Sequence, residues 1–397
     1  MRISTASSFE SGVNTLTRRQ AELAAAQERL SSGKRVARAS DDPAAAARAE
    51  HALIGILRAD TSQRAVDASR IAMSQTETAM GDASALLQRA REAVVAAGNA
   101  GMTDTDRATI AQELRLLREQ LLGIANRSDG AGSYLFGGQG ATQLPFIDAP
   151  GGVQFAASPG QSGTEYTTAL PLTTDGQAAF LSARTGNGVF ETSPGPGVTT
   201  ATIDNGRVSD PALLTGASYT LQFTVSGGAT TYAVLRNGAA TSVTAAPYVS
   251  GAAIDIDGMS LTVSGAPAHG NQFNVVPSTP TLSIFDVLDA AVTQMSTRNR
   301  TGHQVAQTTA DALRDIDASM TTLQATRSAA GMVLNRIDSE TDRLAGQKLT
   351  RESERSDAED LDMVHAISAF QAKQSGYDAA LRSYSMVQRL SLTQYLG

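Results

Sequence analysis

Both ends of this 397-residue chain carry one pattern that its middle lacks. Phe9, Val13, Leu16, Gln20, Leu23, Gln27 and Leu30 follow one another at alternating spacings of four and three. Met363, Ile367, Phe370, Gln374, Tyr377, Leu381, Tyr384 and Gln388 repeat that rhythm near the finish. A stripe spaced this way stays on one face of a helix and needs another stripe to lie against. The ends therefore read as helices of one coiled unit, with the middle as an insert. Such a chain suits a subunit better than an enzyme.

Local signals set the helix boundaries. The first helix is expected from about Ser8 to Ser31, stopping at Gly33, which suits a left-handed C-terminal cap. In Ser40-Asp41-Asp42-Pro43 the chain restarts, with an Asp to cap free amides and Pro at the first helical position. From Ala44 to Asn99 the pattern reads as one helix of roughly 80 Å. Val66, Met73, Met80, Leu87 and Val94 recur every seven residues, with Ser69, Thr76, Ala83 and Ala90 as small partners. A further helix begins at Thr103 to Asp106. Beyond Pro280, Leu313, Ile316, Met320, Leu323, Arg327, Ala330, Leu334, Ile337, Thr341 and Leu344 resume the heptad rhythm.

Between Gly137 and Pro280 there are three Arg, eight acids and no Lys, and alternation replaces heptads. Tyr219, Leu221, Phe223 and Val225, then Tyr232 and Val234, Ile254 and Ile256, Leu261 and Val263 mark strands. Asn205-Gly206, Asn237-Gly238 and Asp257-Gly258 are tight-turn pairs. The expected fold is mainly α with a β insert: a discontinuous, coiled-coil-like helical bundle from both chain ends, plus one small all-β domain in the middle. Three domains follow: 1–42 with 352–397 as a terminal helical domain, 43–136 with 281–351 as a long-helix bundle, and 137–280 as the β domain. Only Met1, Ile3, Phe9, Val13, Leu16, Leu23, Leu30 and Val36 are large and apolar in the first 42 residues. That is too little burial to order so much backbone, so the terminal domain is expected to fold only against neighbouring subunits.

Chemistry is sparse. A net charge of −7 gives no reason to expect nucleic acid. No cysteine occurs, which removes thiolate metal sites and Cys nucleophiles. His51, His269, His303 and His365 stand far apart, and Asp255-Ile256-Asp257-Gly258 reads as a hairpin turn because the later calcium ligands are missing. No cofactor or metal is expected and no catalytic residue stands out. No run of about eighteen apolar residues would span a membrane. The start lacks the apolar core of a cleaved signal peptide.

The helical residues resemble the flagellin superfamily of bacterial axial proteins. Leu30-Ser31-Ser32-Gly33-Lys34-Arg35 followed by Ser40-Asp41-Asp42-Pro43-Ala44-Ala45 is similar to its N-terminal signature, and Thr103 to Leu114 resembles its later N-terminal helix. Pro43, the exit Ser133-Tyr134-Leu135-Phe136-Gly137-Gly138 and the ending Ser391-Leu392-Thr393-Gln394-Tyr395-Leu396 resemble junction members rather than filament-forming ones. The resemblance implies a non-enzymatic adaptor between hook and filament, exported through the flagellar type III route without a cleaved signal and residing outside the cell. Its partners would be copies of itself in a ring, the first hook-associated junction protein, flagellin, and an export chaperone on the C-terminal helix.

The expected assembly interface is Phe9, Val13, Leu16, Leu23, Leu30, Ile367, Phe370, Tyr377, Leu381 and Tyr384. Ser31, Gly33, Asp41, Asp42, Pro43, Ser391, Leu392, Tyr395 and Leu396 carry the family motif. Two alternatives stay open: a flagellin that forms the filament itself, and a secreted glycan-acting enzyme with its site in the β insert. Deleting about 140–278 would abolish the enzyme but leave assembly largely intact.

Overall fold

A computed structural model describes residues 5–164 and 169–396, with side chains over 10–164 and 169–386. The helices are α1 (Thr5–Ser32), α2 (Pro43–Ala97), α3 (Asp104–Ala125), α4 (Gly176–Phe180), α5 (Ile284–Ser296), α6 (Gly302–Glu359) and α7 (Met363–Leu396). No described helix is long and apolar enough to cross a membrane. The chain forms two compact units, Met1–Arg64 with Glu340–Gly397, and Ala65–Ser339.

The predicted caps are in place. Gly33 adopts φ +68° and its amide bonds the Arg29 carbonyl at 2.9 Å, closing α1. Asp42 Oδ1 accepts from the Ala45 amide at 3.0 Å at the start of α2. That bond, and then Arg35, hold the Asp42 carboxyl below its ordinary range. Thr103 and Asp106 close a reciprocal capping box on α3.

In the larger unit, the α2 residues Val66, Met73, Met80, Leu87 and Val94 are all buried, as are Ser69, Thr76, Ala83 and Ala90. On this unit's stretch of α6 the buried apolar residues of the repeat are Ile316, Leu323, Ala330 and Ile337, again seven apart. Rows of small residues let helices approach closely. Arg91–Asp317 at 2.7 Å and Arg70–Asp338 at 2.5 Å flank the seam, and Arg327 bonds Glu77. Met80 and Leu87 of α2, Leu114 and Leu121 of α3, Phe285 and Leu288 of α5 and Leu323 of α6 share one core.

The strands are β1 (Phe146–Ala149), β2 (Gly152–Phe155), β3 (Phe190–Pro194), β4 (Ala201–Ile203), β5 (Arg207–Val208), β6 (Tyr219–Ser226), β7 (Ala229–Arg236), β8 (Ala239–Ala240), β9 (Ala246–Pro247), β10 (Ala253–Ile256), β11 (Met259–Gly265) and β12 (Gln272–Pro277). Two antiparallel sheets turn their apolar faces into a second core. One runs β10-β11-β4 with β5 also on β11, and the other β3-β12-β6-β7-β8 with β9 also on β7. Tyr219, Leu221, Phe223, Val234, Leu261, Val263 and Phe273 fill it. Asn237-Gly238 joins β7 to β8 and Asp257-Gly258 joins β10 to β11, with positive φ at all four residues. Asn205-Gly206 instead links β4 and β5, which both pair with β11.

The β region begins later than the sequence suggests. Residues 137–181 were expected in the β domain, yet Phe146, Val153 and Phe180 belong to the helical core. Phe180 sits edge-on to Phe136 and Phe146, with ring centroids 5.1 and 5.4 Å away. A lone two-stranded hairpin cannot cover its own apolar face, so β1–β2 packs on helices. Arg118 fixes it there, donating to both Asp148 oxygens at 2.7 and 2.8 Å and to Asp289. The second core starts at Phe190. Polar bonds tie it to α6: the Gln307 side-chain oxygen accepts from the Ile203 amide at 2.8 Å, and Arg314 Nη1 donates to the Thr192 carbonyl at 3.2 Å.

Candidate assembly site

In the smaller unit α1 and α7 pack antiparallel. Gly12 lies against the Tyr384 ring and Gly376 against the Arg19 guanidinium, close enough that an added Cβ would stand 3.1 and 3.3 Å from them. Two glycines thus let large side chains of the opposite helix nestle onto backbone. Even so, among the residues of α1 and α7 whose side chains are described, not one is buried. This contrasts with α2, whose stripe is sealed.

The sequence-derived interface falls on this open pair. Val13, Ile367 and Leu381 are 39%, 46% and 40% exposed. Leu16, Leu23, Leu30, Phe370, Tyr377 and Tyr384 are half-buried. Met363, already part of the C-terminal stripe, is exposed beside them, as are Val364 and Met386, which the sequence pattern did not single out. The side chains of Phe9, Ser391, Leu392, Tyr395 and Leu396 lie outside the described residues.

The motif residues that are described form a clasp. The loop 33–42 leaves α1 and runs against the break between α6 and α7. The Arg35 and Val36 amides both donate to the Glu359 carbonyl, at 2.7 and 3.3 Å, and the Leu361 amide donates to the Gly33 carbonyl at 2.9 Å. Lys34 Nζ meets the Glu359 carboxylate at 3.1 Å. Asp41 Oδ2 accepts from the Ala37 and Arg38 amides, at 3.2 and 3.0 Å, which folds the loop back on itself. Val36 and Ala358 are buried beneath it. Ser31 is exposed on the last turn of α1 and Pro43 opens α2.

Sequence reasoning missed the far side of this clasp. It set the terminal domain's inner edge at 352, whereas α6 runs unbroken to Glu359. The overlooked signal was Asp360-Leu361-Asp362, where Asp362 Oδ1 caps α7 by accepting from the His365 amide at 3.0 Å. Among the described residues no three His, Asp or Glu side chains gather as a metal site would require.

Comparison with known proteins follows the same division. Residues 3–141 match the bacterial flagellin N-terminal helical region and 313–396 the flagellin C-terminal helical region. Residues 196–277 match a D2-like domain of flagellar hook-associated protein 1. The chain is 38% identical over 154 residues to flagellar hook-associated protein 3 of Salmonella typhimurium, a match of 38% of this chain and 48% of that protein. The chain thus spans about half the length of the curated relatives it matches. The crystal structure of flagellar hook associated protein-3 from Legionella pneumophila superposes with a TM-score of 0.71 at 25% identity, covering 77% of this chain and 99% of that one. Xanthomonas campestris FlgL gives 0.69 at 27% identity, covering 78% and 99%. With a flagellin helical region at each end and the fold of hook-associated protein 3 structures, the chain belongs to the flagellin superfamily.

Proposed function

We propose that this chain is a structural, non-enzymatic subunit of the bacterial flagellum, an adaptor at the hook–filament junction on which flagellin polymerises. One observation carries the reading: α1 and α7 pair through an apolar stripe, yet no described residue of either is buried. A stripe left this wet is completed by neighbours. The neighbours would be copies of the chain in a ring, the first hook-associated protein on the hook side and flagellin on the filament side. Before assembly, an export chaperone would cover α7. The protein would act outside the cell, after export through the flagellar type III route without a cleaved signal.

Growth of filaments on purified hooks already bearing the first junction protein tests this. Electron microscopy should show filaments only when this chain is added before flagellin, with no long polymer from the chain alone. Long polymers of the chain alone would make it a flagellin. No effect on filament growth would overturn the adaptor reading.

A further inference from the structure

The outward faces of α2 and α6 in the smaller unit match one another in charge and spacing. On α2, Arg48, His51, Ile54 and Arg58 are exposed; on α6, Asp342, Leu349 and Glu352 are exposed. Ile54 and Leu349 are 40% and 68% exposed. Arg48, Arg58 and Asp342 make no side-chain bond within the described chain, and Glu352 feels only the charge of nearby Lys348. Arg48 and Arg58 stand ten residues apart, as do Asp342 and Glu352. On a helix each pair spans about 15 Å.

Within one copy the two helices run antiparallel, with Lys348 Nζ 2.8 Å from Asp60 and Arg351 lying over Gly55. Their seam is lined by Ala45, Ala49, Ala52, Ile56 and Ala59 on α2 and by Leu344 and Ala358 on α6. At about 100° per residue, Arg58 and Asp342 turn about 140° and about 180° away from that seam, and Arg48 and Glu352 about 60° and about 100°. Because the helices are antiparallel, these faces look out on opposite sides of the helix pair. Copies standing side by side and pointing the same way bring the basic face of one onto the acidic face of the next.

We propose that this is a lateral contact between copies of the chain, with α2 of one copy lying antiparallel on α6 of its neighbour. A single register pairs Arg58 with Asp342 and Arg48 with Glu352, with Ile54 and Leu349 at heights between them along the helix axes. The proposal rests on the adaptor reading for the presence of a ring. It adds which surfaces close that ring. The contact is heterologous, basic face to acidic face, and so propagates around an axis instead of stopping at a dimer.

The chain lacks cysteine, so an Arg58→Cys, Asp342→Cys double variant carries one defined pair. Assembled on hooks bearing the first junction protein and then oxidised, it should give a ladder of cross-linked multimers, absent from dilute monomer. Arg58→Glu and Asp342→Arg, each alone, should lower incorporation at least about tenfold, and the two together should restore it. Melting of each monomer, measured alongside, checks its folding. Wild-type chain that supports filament growth while the Cys pair stays uncrosslinked would overturn the lateral contact, as would failure of the swapped pair to rescue. Wild-type chain that supports no filament growth would overturn the adaptor reading, and the ring contact with it.

Discussion

Arg35 Nη2 donates to the carbonyl oxygen of Ala358 at 2.6 Å, joining the loop after α1 to the last turn of α6 across more than 300 residues of sequence. The carbonyls closing α6 have no intrahelical donors, and Arg35 supplies one. The Arg35 side chain is 43% exposed, so its contribution to global stability is small. Replacing Arg35 by Ala should cost about 1 kcal/mol or less in urea unfolding. Amide exchange of 33–41 and 359–362 should rise well above that of α2. Unchanged protection there would show that the backbone bonds to Glu359 suffice alone.

Leu381→Asp and Leu87→Ala separate assembly from folding. Leu87 is fully buried between α2 and its neighbours, so its truncation should cost about 2–5 kcal/mol. Leu381 is 40% exposed in the isolated chain, so a charge there should leave the monomer's melting nearly unchanged. Incorporation at the hook end should nevertheless be lost. Normal incorporation of Leu381→Asp would remove the terminal stripe from the interface.

Arg118 is buried, and it draws two half-exposed carboxylates, Asp148 and Asp289, onto one guanidinium. Arg118→Met should destabilise the larger unit by about 2–3 kcal/mol, read by chemical denaturation. Arg118 holds the Asp148 carboxyl below its ordinary value. Stability from that shift is present above the unfolded carboxylate pKa and fades as pH falls through the lower folded value. The Met variant should therefore lose part of the wild type's acid-side decline.

Asp311 behaves in the opposite sense. Burial pushes its carboxyl up to about 6, against the pull of Arg314 and Gln307, with Asp315 and Glu191 adding like charge. A carboxylate raised on folding stabilises fully below its unfolded pKa, and that contribution disappears as pH rises through about 6. Asp311→Asn should raise stability at neutral pH by up to about 3 kcal/mol and flatten the slope between about pH 4 and 7. Arg314 remains paired, with Asp315 at 2.8 Å and Glu191 at 3.7 Å. Thermal melts across that range would check both points, and a variant less stable at pH 7 would contradict the account.

Two glycines should respond with opposite signs. A Cβ at Gly176 would stand 2.3 Å from the Phe136 carbonyl oxygen and 2.8 Å from the Phe146 ring, so Gly176→Ala should cost about 1–3 kcal/mol. At Gly331, inside α6, a Cβ meets nothing within 4 Å, and Gly331→Ala should add up to about 1 kcal/mol. Melting temperatures of the two variants give the comparison directly.

Much of the fold was legible because its rules are local. The cap at Gly33, the restart at Asp42-Pro43 and the capping box at Thr103–Asp106 each involve residues a few positions apart. The seven-residue spacing from Val66 to Val94 reports a buried face whatever that face meets. The β boundary was not legible, since Phe136, Phe146 and Phe180 look alike whether they pack on strands or on helices.

The sequence by itself determined the helices, their apolar faces and the two-residue turns, because periodicity and capping are properties of neighbouring residues. Only the tertiary structure decided that Phe146, Val153 and Phe180 belong with α3 and α5, where a hairpin too small to bury itself found cover. It also decided that the motif loop closes on Glu359, since a backbone carbonyl more than 300 residues from the Arg35 amide leaves no trace in residue type. The exposure of α1 and α7 is likewise a tertiary fact. An apolar stripe states that a partner is needed, and only the packed chain shows that one paired helix leaves it still half in water.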